Sequence, residues 1–258
     1  MPERPDRSHQ VLVAVAHGSA DPRAAATVTD LMALAAQRAA DRGLSLPEVR
    51  TAYLGHAAPS LPQVMGAIGR ADVTVLPLLL TPAYHSKTDI PRVLARLGGG
   101  FPVSYGGTLG PHPLLLSALE RRLGEADPLG PAGPARRART GVVLAAAGST
   151  DPEANIIVAR LAAQWQARAG WFEVRAAAAA SGAPTPAEAV TGLLHAGAGR
   201  VLVATYLLAP GLFADRIRAS ALAAGAAAVA PALGALPEVA EVFLDRYQEA
   251  ATLRRRAA

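Results

Sequence analysis

Two histidines stand just beyond apolar runs. His17 closes VLVAVAH at 11–17, and His85 follows PLLLTPAY at 77–84, with Lys87 and Asp89 close behind. A buried strand that ends in histidine delivers an imidazole to the edge of a sheet. A pair of imidazoles suits a borderline divalent ion such as Fe²⁺, Co²⁺ or Ni²⁺. Each also has an ordinary pKa of about 6.5, so an unprotonated ring is ready to accept a proton near neutrality. The chain contains no cysteine, which removes disulfides, thiolate ligands and cysteine nucleophiles together. Any metal must therefore be held through nitrogen and oxygen.

Five further residues belong to the same set of candidates. His56 follows the second apolar strand, and His112 lies between Pro111 and Pro113. Gly18 and Ser19 form a strand-to-helix turn whose backbone N–H groups favour an anion. Lys87 is the one lysine among 25 basic residues. Asp21 reads first as a helix cap, and Asp89, ahead of Ile90 and Pro91, as a helix start. His9 in the polar arm and His195 in a glycine-flanked stretch are set aside. A phosphate-binding loop needs Gly-Lys-Ser/Thr, and Lys87 follows serine instead. No G-x-S-x-G elbow frames Ser19, which argues against a hydrolase using that hydroxyl. Ala16 rather than arginine precedes His17, which weakens a phosphohistidine reading.

The elements that must position these groups alternate regularly. Val11–Ala16 reads as a strand, Asp21 to about Arg42 as a helix stopped by Gly43, and Val49–Leu54 as a second strand. Pro59–Arg70 reads as a helix, Val73–Leu80 as the strongest strand, and Ile90–Leu97 as a helix. Phe101–Tyr105 is a fourth strand and Pro113–Leu123 a helix. Such alternation predicts a parallel sheet covered on both faces. In the order 2-1-3-4, the first and third strands are neighbours at the switch point where doubly wound sheets bind ligands. His17 and His85 would then face one crevice. His56, one strand farther out, could reach the same edge.

After a linker, GEADPLGPAGPARRART at 124–140, the pattern begins again. VLVAVAHGSADPRA is echoed by GVVLAAAGSTDPEA, HAAPSLPQV by SGAPTPAEA, and TLGPHPLL by ALGALPEV. The chain is expected to be a duplication, 9–123 and 141–250. Glycines, prolines and apolar strands persist in the second copy. His17, His56, His85 and His112 fall instead on Ala147, Ser181, Phe213 and Leu236. The histidines are thus separable from the scaffold, and the first copy is expected to carry the chemistry.

A net charge of +5 suits an anionic ligand, although part of it lies in Arg136–Arg139 and Arg254–Arg256, which read as a solvated linker and tail. Scarce aromatics and the lack of a binding motif argue against nucleic acid. Six apolar residues after Arg4 and Arg7 are too few for a secretory leader, and no run has the sustained hydrophobicity of a membrane span. A cytoplasmic protein is expected.

AHGSADP at 16–22, YLGHAAPSLPQ at 53–63 and PLLLTPAYHSKTDIP at 77–91 together resemble the sirohydrochlorin chelatase family, in its long two-repeat CbiX and SirB form. The likeness runs through nearly the whole chain. It implies two flavodoxin-like α/β domains flanking a cleft, and a lyase that inserts a divalent metal into sirohydrochlorin without a nucleotide. Fe²⁺, giving sirohaem, is the first expectation, with Co²⁺ for cobalamin or Ni²⁺ as alternatives, and a non-catalytic tetrapyrrole or metal carrier as the contrasting reading. His17 and His85 correspond to the family's metal-associated histidines and would be the catalytic pair. Ser19, Arg23, Arg50, His56, Lys87 and His112 are expected to contact the carboxylated macrocycle. Related chelatases often have an acidic residue after the second strand, where this chain has Gly55 and His56; His56 is a candidate to take its place. A monomer is expected, since the two halves can pair as two short-form subunits would.

Overall fold

A computed structural model describes residues 9–69, 71–82, 85–96 and 103–257. Two four-stranded sheets, all parallel, follow one another along the chain. The first holds β1 (Gln10–Ala16), β2 (Glu48–Tyr53), β3 (Asp72–Pro77) and β4 (Val103–Tyr105) in the order β2-β1-β3-β4. The second holds β5 (Thr140–Gly148), β6 (Glu173–Ser181), β7 (Arg200–Tyr206) and β8 (Ala228–Val229) in the matching order β6-β5-β7-β8. The strand order expected from the sequence is the one observed. The expected limits at Arg70, Leu97 and Phe101 lie outside the described residues.

The reason is visible in burial. Val11 to Val15 are shielded from water on both faces of the sheet, as parallel strands covered by helices must be. Val11, Val13, Val15, Val73 and Val75 form one face and pack with Leu61, Val64 and Met65 of α2 (Leu61–Ala67) and Ile90 of α3 (Ile90–Arg96). The second sheet repeats this packing, with Val143, Val201 and Val203 against Leu193 of α7 (Pro186–His195) and Ile217 of α8 (Leu212–Ala223).

Helix starts follow the residue types. Asp21 caps α1 (Pro22–Asp41) and Asp151 caps α6 (Pro152–Ala169), each accepting from the backbone N–H two residues on. Ser60 with Gln63 and Thr185 with Glu188 form reciprocal capping boxes at α2 and α7. Two features differ from expectation. His85–Asp89 is a π turn leading into α3, and the linker contains a short helix, α5 (Pro134–Arg137). Its arginines are not a solvated run. Arg136 donates to the Leu129 carbonyl at 3.0 Å, and Arg137 pairs with Glu120 at 2.7 Å and stacks 4.6 Å from the Trp171 ring centre.

The compact units do not coincide with the sequence repeats. One comprises residues 1–109 and 240–258; the other comprises 110–239. Accordingly α4 (Pro113–Ala126), which ends the first repeat, packs against β7 and β8. Most of α9 (Pro237–Ala257), which ends the second, joins the first unit.

Candidate functional site

Register places the carboxyl ends of three strands side by side. Ala16 is opposite Tyr53, and Val15 is opposite Pro77. Hydrogen bonds continue past the strand ends: Leu54 N–H donates to Ala16, Gly55 N–H to His17, and Leu78 N–H to Val15. The loops after β1, β2 and β3 therefore leave one edge together. His17 is the first residue beyond β1 and is exposed there.

His17 Nδ1 lies 3.2 Å from the carbonyl oxygen of Gly18. A carbonyl can only accept, so a hydrogen bond here has Nδ1 as its donor. A histidine protonated at Nδ1 offers Nε2 to a metal ion or a proton. Gly18 has φ +89°, and a Cβ placed on it would meet the Gly55 carbonyl oxygen at 1.8 Å. Glycine at this turn lets the β1 and β2 loops touch.

Ser19 Oγ accepts from the Asp21 N–H at 3.1 Å. Asp21 in turn accepts from the Arg23 N–H and takes its guanidinium at 2.6 Å. The Arg23 side chain, followed by its backbone amide, holds the Asp21 carboxyl below the usual carboxylate range. His56 is exposed on left-handed backbone, φ +59°, in the loop after β2.

His85 opens the π turn after β3. Ser86 beside it is buried, with 6% exposure, whereas Lys87 is exposed. Tyr105, the last residue of β4, donates its hydroxyl to the Ser86 carbonyl at 2.7 Å. This bond fixes the turn at the same carboxyl edge. His17, Ser19, Arg23, His56, His85 and Lys87 are thus brought to one edge of one sheet. Among the described residues, no group of three or more His, Asp or Glu side chains is placed to hold a metal ion.

Two of the expected contact residues are engaged with other groups. Arg50 sits within β2, opposite Val13, where it pairs with Glu48 at 2.7 Å and donates to the Ala67 carbonyl at 3.3 Å. It is three residues short of the strand's carboxyl end, and its charge is engaged near the start of the strand. His112 caps α4 through Nδ1, accepting from the Leu114 N–H at 3.3 Å, and belongs to the other compact unit.

The second copy shows the same edge without the two histidines. Ala147 stands at the position of His17, and Phe213, within α8, at that of His85. Asn155 bridges its loops: Oδ1 accepts from the Ser149 N–H at 3.0 Å, and Nδ2 donates to the carbonyls of Ser149 at 2.7 Å and Ser181 at 3.4 Å. Ala25, four residues past Asp21 as Asn155 is past Asp151, lacks the groups to form that bridge in the first copy. Neither Tyr105 nor Asn155 was singled out from sequence; the legible signal for Tyr105 was its place at the end of the fourth strand, on the histidines' edge.

The CbiX family model matches residues 11–126 and 141–250. The chain belongs to the CbiX family. This CbiX chain is 29% identical over 175 residues to the sirohydrochlorin cobaltochelatase of Priestia megaterium, an alignment covering 66% of the chain and 56% of that relative. It is 27% identical over 190 residues to the sirohydrochlorin ferrochelatase of Bacillus subtilis, covering 71% and 70%. The match therefore spans little more than half of the first relative's length. Among solved structures, SirB from Bacillus subtilis with Fe³⁺ superposes with a TM-score of 0.75 at 25% identity, covering 94% of the CbiX chain and 95% of SirB.

Proposed function

We propose that this chain is a sirohydrochlorin chelatase, a lyase that exchanges two inner protons of the macrocycle for one divalent metal ion, with Fe²⁺ as the physiological ion. The observation that carries the reading is the adjacency of β1 and β3, which brings the loop holding His17 and the π turn opened by His85 to one sheet edge. The second copy retains the edge and lacks both imidazoles.

Chemically, metal insertion requires a site that holds M²⁺ without enclosing it and a base for the pyrrole protons. Two imidazoles leave coordination positions open for the ring nitrogens. One of them, neutral near pH 7, accepts a proton as the metal enters, and the second proton passes to water. Sirohydrochlorin carries eight carboxylates. Lys87, the Gly18–Ser19 turn and, on exchanging Asp21 for substrate, Arg23 would pair with those nearest this edge. His56, after β2, is a further imidazole at this edge. Arg50 and His112 are not required by this reading, given their other engagements.

The test follows sirohydrochlorin absorbance with Fe²⁺, Co²⁺ and Ni²⁺ in turn, with and without the purified protein. The expected result is insertion accelerated well above the protein-free rate, fastest with Fe²⁺. Rates equal to the protein-free control for every metal would mean a carrier and not an enzyme. A higher rate with Co²⁺ would reassign the physiological ion.

A further inference from the structure

A π turn admits one extra residue per turn and is rare in proteins, so it depends on what surrounds it. Here the turn that opens with His85 accepts a hydrogen bond from a side chain of the neighbouring strand. The Tyr105 hydroxyl donates to the Ser86 carbonyl at 2.7 Å, and Ser86, the second residue of the turn, is buried. Tyr105 is 38% exposed, so its ring is not an interior packing group. An ordinary phenol is protonated near neutral pH, so the hydroxyl remains a donor.

The duplicated half supplies an internal control. Val75 of β3 is in register with Tyr105, and the corresponding Val203 of β7 is in register with Val229. Where valine replaces tyrosine, the π turn is also missing: α8 starts at Leu212 as an ordinary helix, with phenylalanine at the histidine's place. Hydroxyl, π turn and histidine occur together in one copy and are lost together in the other.

We propose that Tyr105 is a positioning residue for metal capture, its hydrogen bond to the Ser86 carbonyl setting the place of His85. The proposal rests on the reading that His85 binds the incoming metal. Tyr105 need not touch metal or macrocycle; it acts through the turn.

Tyr105→Phe removes one hydroxyl from a partly exposed ring, so the fold is retained. Co²⁺ titration by visible absorbance and insertion kinetics then separate the possibilities. Loss of one such hydrogen bond should raise the apparent Kd and KM for the metal about five- to tenfold. KM for sirohydrochlorin should stay unchanged, the melting temperature should fall by no more than about 2–4 °C, and hydrogen exchange should quicken at the amides of 87–90 but not in β1. In the His85→Ala background the same substitution should weaken Co²⁺ binding no further. If His85→Ala abolishes insertion while Tyr105→Phe leaves metal KM and exchange as in the parent, the clamp is refuted and the metal site stands. An equal loss of Co²⁺ affinity with and without His85 also refutes it. If His85→Ala inserts metal normally, the site reading fails, and the clamp falls with it.

Discussion

A side chain on Gly18 would put its Cβ 1.8 Å from the Gly55 carbonyl oxygen, on backbone at φ +89° that other residues rarely adopt. The residue next to His17 is therefore fixed by geometry, and any substitution must separate the β1 and β2 loops. Gly18→Ala is expected to cost about 2–4 kcal/mol, combining the strained backbone with the clash, and to lower insertion because His17 moves with the turn. Thermal unfolding and the absorbance assay measure the two effects separately. His17 itself should behave in the opposite way. It is exposed, and the second copy folds with Ala147 at the same place. His17→Ala should thus abolish insertion while shifting stability by less than about 0.5 kcal/mol. A variant that unfolds would show that the histidine serves the scaffold after all. His17 and the cap at Asp21 were legible in the sequence because strand, turn and helix start are all local signals. The Asp21–Arg23 pairing and the Tyr105 bond were not. The first depends on rotamers, and the second joins groups 19 residues apart.

At the scale of elements, the strand order 2-1-3-4 was readable in advance because parallel strands buried on both faces appear as continuous apolar runs. The π turn was not, since it differs from an α-helical start by a single residue of hydrogen-bond spacing and no residue type marks it. Linker chemistry was also hidden. Arginine between prolines and glycines looks solvated, yet Arg137 finds Glu120 and Trp171. The most demanding pairing between elements joins the end of α4 to the start of β7. Asp127, whose side chain is 1% exposed, accepts from Arg200 at 2.8 Å and from the Leu129 N–H at 3.0 Å. Burial alone would raise its pKa, but the Arg200 hydrogen bonds and the Leu129 amide together hold the carboxyl below the ordinary range. Arg200→Ala leaves that carboxylate buried without its counter-ion, and about 3–5 kcal/mol should be lost. Because the folded carboxyl titrates below its unfolded value, the pair contributes fully above the ordinary carboxylate range. That contribution disappears as pH falls through the folded pKa. Denaturant unfolding from pH 7 to pH 3 should therefore show the parent losing stability toward acid, with the difference from Arg200→Ala narrowing. A constant difference would mean that Asp127 is not the group responsible.

For the molecule as a whole, the repeat in the sequence and the unit in space are different objects. An amphipathic pattern says that α4 and α9 each bury a face; it does not say against which sheet. Glu120 of α4 accepts from Trp165 Nε1 at 2.6 Å and from Trp171 Nε1 at 3.0 Å, both residues of the second repeat. Arg121 of α4 pairs with Glu238 at 2.7 Å, and Arg122 donates to the Leu233 carbonyl at 2.8 Å. In return, α9 offers Glu241 to Arg38 and Arg42 of the first unit. Its Arg246 donates to the Thr108 carbonyl at 2.7 Å, and its Ala250 lies where a Cβ on Gly106 would meet it at 3.3 Å. The half that carries the histidines is thus incomplete without the last helix of the half that lacks them. Val242, Phe243 and Leu244 of α9 are fully buried. At about 1.5–3 kcal/mol for each such side chain, their loss rivals the whole stability of an ordinary domain, about 5–15 kcal/mol. Deleting residues 240–258 removes no residue of the proposed site, yet it should unfold the first unit and abolish Co²⁺ binding as well as insertion. Far-UV circular dichroism and limited proteolysis of residues 9–109 would report the unfolding. Supplying α9 as a separate peptide at high concentration should recover part of the metal binding if the helix acts by completing that unit. A truncated protein that stays folded and binds Co²⁺ with parental affinity would show instead that the first sheet is stable without it.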